Sequence, residues 1–186
     1  MNFEASGRSD HEDRPSAFSA RSVIITATAA VIAAAFALNT AMLGLEVWAM
    51  FLGWAAYYSR PTSTLEAVAT TVSFWLGMAI GLASIIAAGA LGKLLGPGAF
   101  AIVVFCVAMI VVSMRFAPFV NNLNAWFLGL SAFYAAHLGT DTIAFLKIAA
   151  AAALGVIAGL IATRLQSRVG PTTILAQSER DRDVTI

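Results

Sequence analysis

Charged side chains are absent from Val23 to Ala41, from Ala67 to Gly92 and from Leu94 to Met114. At about 1.5 Å per helical residue, each approaches or exceeds the roughly 30 Å hydrocarbon core of a bilayer. A water-soluble fold could not hide so much apolar surface. In lipid, the backbone must pair its own N–H and C=O groups, so the element these runs form is the helix. Composition agrees: 60% of residues are hydrophobic, 11% are charged, and mean hydropathy is +0.83. Soluble domains carry about 25% charged residues. The expectation is an all-α, polytopic membrane protein whose first partner is the lipid bilayer.

Six apolar segments can be counted, at 22–41, 43–59, 65–88, 98–115, 119–137 and 143–165. The polar ends, 1–21 and 166–186, read as disordered tails. Gly96, Pro97 and Gly98 break the chain where a linker, 89–97, gives way to the fourth segment. Twenty-one mostly polar residues precede the first apolar run, which is longer than a signal-peptide core, so that run is expected to stay as a span. Segments two and five are short. Their apolar cores, Val47 to Ser59 and Ala125 to His137, would each cover about 20 Å as helix, so they are half-spans or spans with a polar end inside the protein. With both termini inside, Arg8, Arg14, Arg21, Arg60, Arg115, Arg164, Arg168, Arg180 and Arg182 fall on the cytoplasmic side. Only Lys93 and Lys147 fall outside. That is the bias expected of basic loops, and it favours six segments over five.

The two short segments carry the same phrase: FLGWAAYYS from Phe51 and FLGLSAFYA from Phe127, an offset of 76. The long segments that follow also correspond. Gly77-Met78-Ala79-Ile80-Gly81-Leu82 answers Gly155-Val156-Ile157-Ala158-Gly159-Leu160 at an offset of 78. The chain therefore reads as two repeats, 22–88 and 98–165, of three segments each. Three is odd, so the second copy would cross the membrane in the opposite sense to the first. Such inverted repeats place short or interrupted helices near the midplane.

Gly77 with Gly81, and Gly155 with Gly159, have the spacing that lets helix backbones approach closely. Gly53 and Gly129 suit the same helix-packing role, or a relaxed backbone beside a pore. The aromatic residues of the phrases, Trp54, Tyr57, Tyr58 and Tyr134, with Trp126 and His137, are the candidates for lining a solute passage. An interfacial aromatic belt is the competing reading. Asn121, Asn122 and Asn124 could cap the start of segment five or line a vestibule. Asn39 could hydrogen-bond between helices, and Cys106, the lone cysteine, reads as buried packing.

No enzyme constellation is present. One cysteine and two histidines make no usual zinc site, and neither G-x-x-x-x-G-K-[ST] nor H-E-x-x-H occurs. No cofactor, metal or nucleic-acid partner is expected. The scarcity of charge at depth disfavours a charged solute, whose desolvation would need partners. The preferred function is a channel or facilitator for a small uncharged polar solute, with a homo-oligomer as its expected assembly. Two alternatives stand beside it: an ion-coupled carrier using His137 or Asp141, and a structural or partner-binding membrane subunit without transport.

The stretch MLGLEVWAMFLGWAAYYS, Met42 to Ser59, resembles the bacterial inner-membrane family 1097 of the domains of unknown function. The likeness continues through FWLGMAIG, Phe74 to Gly81, and the second phrase to ATRLQS, Ala162 to Ser167. It covers roughly residues 22–168. The resemblance implies a small multi-span protein of the bacterial inner membrane. It implies no activity and assigns no functional residue.

Overall fold

The structure, a computed structural model, describes the backbone of residues 20–60 and 63–183 and the side chains of residues 22–60 and 63–168. Among these residues there are six α-helices and no strand. They are α1 (Ala20–Met42), α2 (Val47–Tyr58), α3 (Thr64–Leu95), α4 (Gly98–Ser113), α5 (Leu123–Ala135) and α6 (Thr142–Asp183), with a single 3₁₀ turn (Met114–Phe116) after α4. The tail expected at 1–21 lies outside the described residues except for Ala20 and Arg21, which open α1. At the other end the helix runs on to Asp183, past residue 165.

Four helices are long and apolar enough to cross a bilayer: Ser22–Met42, Thr64–Leu95, Gly98–Phe116 and Thr142–Arg168. They are the helices of a membrane protein. The other two, α2 and α5, have 12 and 13 residues. At about 18–20 Å, neither reaches across the hydrocarbon core alone.

Local chemistry sets the helix ends. Ser63 caps α3 by accepting from the Glu66 amide at 3.1 Å, the first half of a Ser-x-x-Glu box. Asn122 caps α5 through the Ala125 amide, and Asp141 caps α6 through the amides of Ile143 and Ala144. Gly44, at φ 65°, closes α1: its amide bonds Ala41 O and the Leu45 amide bonds Thr40 O. The same hydrogen-bond pattern closes α5, with His137 in glycine's place at φ 49°.

Helix partners are exchanged between the halves. α2 packs most extensively on α6, and α3 on α5. The order of contacts gives the directions. Glu46 lies with Ile148 at one end of the first pair, and Tyr57 with Gly159 at the other, so α2 and α6 run parallel. Thr70 meets Asn122 and, further along, Ser84 meets Tyr134, so α3 and α5 also run parallel. Ser59, just after α2, bonds Asn122, just before α5, so the two short helices are antiparallel.

Glycine makes both crossings possible. A Cβ on Gly53 would fall onto Ala152 O, and one on Gly155 would fall onto Met50 O and Trp54 N. At the other crossing, a Cβ on Gly129 would fall onto Phe74 O, and one on Gly77 onto Trp126 O, close to Leu130 N. One helical turn on, Gly159 takes the ring of Tyr57 and Gly81 takes that of Phe133. Around these contacts lies a core of Ala49, Ala56, Phe74, Met78, Ala125, Ala132, Phe133, Ala151 and Ala152. By contrast Gly44, Gly89, Gly92, Gly96, Gly98 and Gly139 face open space.

α1 and α4 stand outside this core, α1 against α6 and α4 against α3. Cys106 on α4 is exposed, which corrects the expectation that it is buried. Its apolar surroundings in sequence belong to a helix whose outer face meets no other helix. Asn39 also differs from expectation: its amide donates to Ala35 O of its own helix, not to a neighbour.

Candidate functional site

The short helices have their ends at intermediate depth along the long ones. α5 lies level with residues 70–84 of α3, which itself runs from Thr64 to Leu95. α2 lies level with residues 148–159 of α6. Polar groups gathered at these ends are therefore the candidate site, since a membrane protein tolerates polar side chains at depth only against protein or a cavity.

One end is closed. Asn122, 3% exposed, donates from Nδ2 to Thr70 Oγ1 at 2.9 Å. Its Oδ1 accepts from Ser59 Oγ at 3.1 Å and from the Ala125 amide at 3.2 Å. Beside it, Arg60 donates to Asn121 O at 3.0 Å and to Asn121 Oδ1 at 2.7 Å, and sits 3.7 Å from Glu66. The end of α2, the start of α3 and the start of α5 are tied together by these bonds. Thr70 and Asn122 are buried and satisfied, which a low-dielectric interior demands.

The opposite end is open. A recess of about 250 Å³ is lined by Glu46, Trp48, Ala135, Ala136, Leu138, Ala144, Lys147 and Ile148. Glu46 precedes α2 but makes no side-chain cap; one of its carboxylate oxygens accepts from the Trp48 indole at 3.2 Å. The offsets of the sequence repeat relate the two ends residue by residue. Asn122 corresponds to Glu46, Ser59 and Arg60 to Ala135 and Ala136, Glu66 to Ala144, and Thr70 to Ile148. Where one end carries hydrogen-bonding side chains long enough to meet, the other carries alanines, and the space they leave is the recess.

A second cavity lies on the flank between α3, α4 and α5. It measures about 490 Å³ and is apolar apart from the hydroxyls of Ser84 and Tyr134, which share a hydrogen bond.

The aromatic candidates do not share one cavity. Trp54 and Tyr58 lie side by side with tilted rings, centroids 6.0 Å apart, and Tyr58 is exposed. Tyr57 is buried against Gly159, and its hydroxyl is a buried polar atom without a partner. Trp126 is buried and donates to Val120 O at 2.7 Å. Tyr134 faces the flank cavity. His137 is an exposed helix terminator next to the recess, its Nδ1 3.1 Å from Ala135 O. Gly53, Gly77, Gly81, Gly129, Gly155 and Gly159 all lie at the crossings.

Sequence reasoning did not single out Arg60, Ser59 or Thr70 as a cluster, nor Glu46 and Lys147 as neighbours. Ser59, Arg60 and Thr70 meet through Asn121 and Asn122 of the other half, and Glu46 and Lys147 come from different halves, so no local spacing announces them. The usable signal was the repeat offset, which already paired Asn122 with Glu46. Among the described residues no group of three His, Cys, Asp or Glu side chains could hold a metal ion.

No curated protein and no solved structure matches the chain. A family model described as "Protein of unknown function (DUF1097)" matches residues 26–167, most of the described helices. The chain belongs to the DUF1097 family.

Proposed function

We propose that the protein is a membrane channel or facilitator for a small uncharged polar solute, built as an inverted repeat of three segments and three segments. Support for the repeat comes from the exchanged contacts. Met50 and Trp54 meet Gly155 as Trp126 and Leu130 meet Gly77, each residue standing 76 or 78 positions from its counterpart. The antiparallel course of α2 and α5 is what an inverted arrangement requires. In this reading the bacterial inner membrane holds the chain, with the Arg60 and Arg164 side cytoplasmic.

The single observation that carries the transport reading is the pair of polar ends on the short helices: an open recess at one, a hydrogen-bonded closure at the other. Polar groups held inside the depth of the long helices are costly to keep, and their presence there points to a path. The alanine-rich packing between the ends has no charged member, which suits a neutral solute and gives an ion no compensation. The ion-coupled alternative draws no support from Asp141, whose carboxylate caps α6.

The test is stopped-flow osmotic response of proteoliposomes over a panel of neutral solutes, such as glycerol, urea and acetamide. A rate above empty vesicles for at least one solute is expected. No acceleration for any of them, with folded protein verified, overturns the reading. Orientation is tested separately in a Cys106→Ala background: Lys93→Cys and Ser167→Cys, near the matching ends of α3 and α6, should label from opposite faces, and labelling from the same face removes the inverted repeat.

A further inference from the structure

We infer that the recess at the start of α2 is a binding site for a small neutral molecule that presents an acceptor oxygen at one end and N–H donors at the other, an amide-like solute. The inference rests on the transport reading for its purpose but not for its geometry. Glu46 and Lys147, from opposite halves of the chain, line the same recess, and no ion pair joins them. Glu46 has one oxygen engaged by the Trp48 indole and the other open to accept. Lys147 offers an ammonium that only donates. One lining group therefore asks for donors and the other for an acceptor.

The remaining lining selects among molecules that meet this demand. Ala135, Ala136, Leu138, Ala144 and Ile148 are apolar. Glu46 and Lys147 together carry no net charge, so the recess as a whole favours neither a cation nor an anion. Trp48 supplies an aromatic face on which a planar group can lie. A recess of about 250 Å³ has room for roughly eight waters at their liquid volume, enough for a solute of a few heavy atoms and too little for a sugar with its hydration.

The equivalent end of the molecule shows what fills such a place when the protein does so itself. There Asn122, which carries both an acceptor and donors, bonds Ser59 and Thr70 at the positions matching Ala135 and Ile148. The side-chain amide of Asn122 occupies the closed end. At the open end Glu46 stands in that place and the two hydroxyl partners are replaced by Ala135 and Ile148, so its free carboxylate oxygen is left for an N–H donor of the solute.

Acetamide is the probe, and N,N-dimethylacetamide, which has the acceptor and no donor, is the comparison. In the full-length protein the ¹⁵N indole resonance of Trp48, assigned with Trp48→Phe, reports the recess, and proteoliposome flux reports transport. Acetamide should shift the Trp48 resonance saturably and about tenfold more tightly than N,N-dimethylacetamide, the scale of one hydrogen bond to a charged group. Glu46→Ala should remove that preference, and Lys147→Ala should weaken both probes. Both side chains are exposed, so neither change should disturb the fold. A Trp48 signal that does not saturate, equal affinity for the two amides, or unaltered binding in both variants overturns the site. Flux without a response at Trp48 defeats this inference and leaves the transport reading standing. A selective response without flux supports the site and defeats transport.

Discussion

The crossings and the outer helices obey different rules. The span in α4 is the most hydrophobic of the four, with a mean hydropathy of 2.5, yet 17% of it is buried by protein. The span in α6, at 2.2, is 44% buried. In water the most apolar helix would be the most enclosed. Here apolarity is required by lipid contact, and the most buried spans are the two that carry the glycine crossings. α6 and α3 meet α2 and α5 through glycine and alanine, whereas α4 shows Phe100, Phe105 and Met109 to its surroundings. With little hydrophobic drive between helices inside a bilayer, close backbone approach and satisfied polar groups hold them together.

That contrast can be broken in four places. Gly155→Val should have the largest effect, because its Cβ falls on Met50 O and neither backbone can yield. The expected loss is about 3 kcal/mol or more, read as failure to recover folded protein or a steep fall in thermal stability in detergent. Gly89→Val, on open surface of α3, is the control and should be tolerated. If both behave alike, the crossings are not what holds the core.

Asn122→Ala comes next. It removes the α5 cap and leaves Thr70 without its donor at a buried position, for about 2 kcal/mol by equilibrium unfolding in mixed micelles. An unchanged stability would mean that the closed end is no tighter than the open one. His137→Gly should act in the opposite direction, stabilising by up to about 1 kcal/mol, since the position has φ 49°. A higher melting temperature checks it. Smallest of all, Phe105→Leu on the outer face of α4, 66% exposed to its surroundings, should change stability by less than about 0.5 kcal/mol. A drop comparable to that of Gly155→Val would show that α4 meets protein on that face.

Much of the helical plan was legible in the sequence, because charge-free length and glycine spacing are one-dimensional signals. Gly96 could be read as a break, and the two phrases marked helices of 12 and 13 residues, whereas Gly44, which closes α1, fell inside the expected second segment. The choice of partners was not legible. Nothing in Gly53 states that it meets Ala152 and not a residue of its own half, because both halves offer small residues at helical spacing. His137 illustrates a different limit. Its chemistry invites a functional reading, while its backbone places it in the left-handed region that ends a helix, a role usually signalled by glycine. The closed cluster was obscured for a third reason: Arg60 and Asn121 are far apart in sequence and meet only once α2 and α5 lie antiparallel.

Each short helix is seated on a long helix of the other half. During synthesis α2 therefore emerges without its seat, and receives it only when the last helix has been made and inserted. Neither half can complete itself, so a truncated chain ending before α6 should be held by the insertion machinery or degraded, while two separately expressed halves should rescue one another in the same membrane.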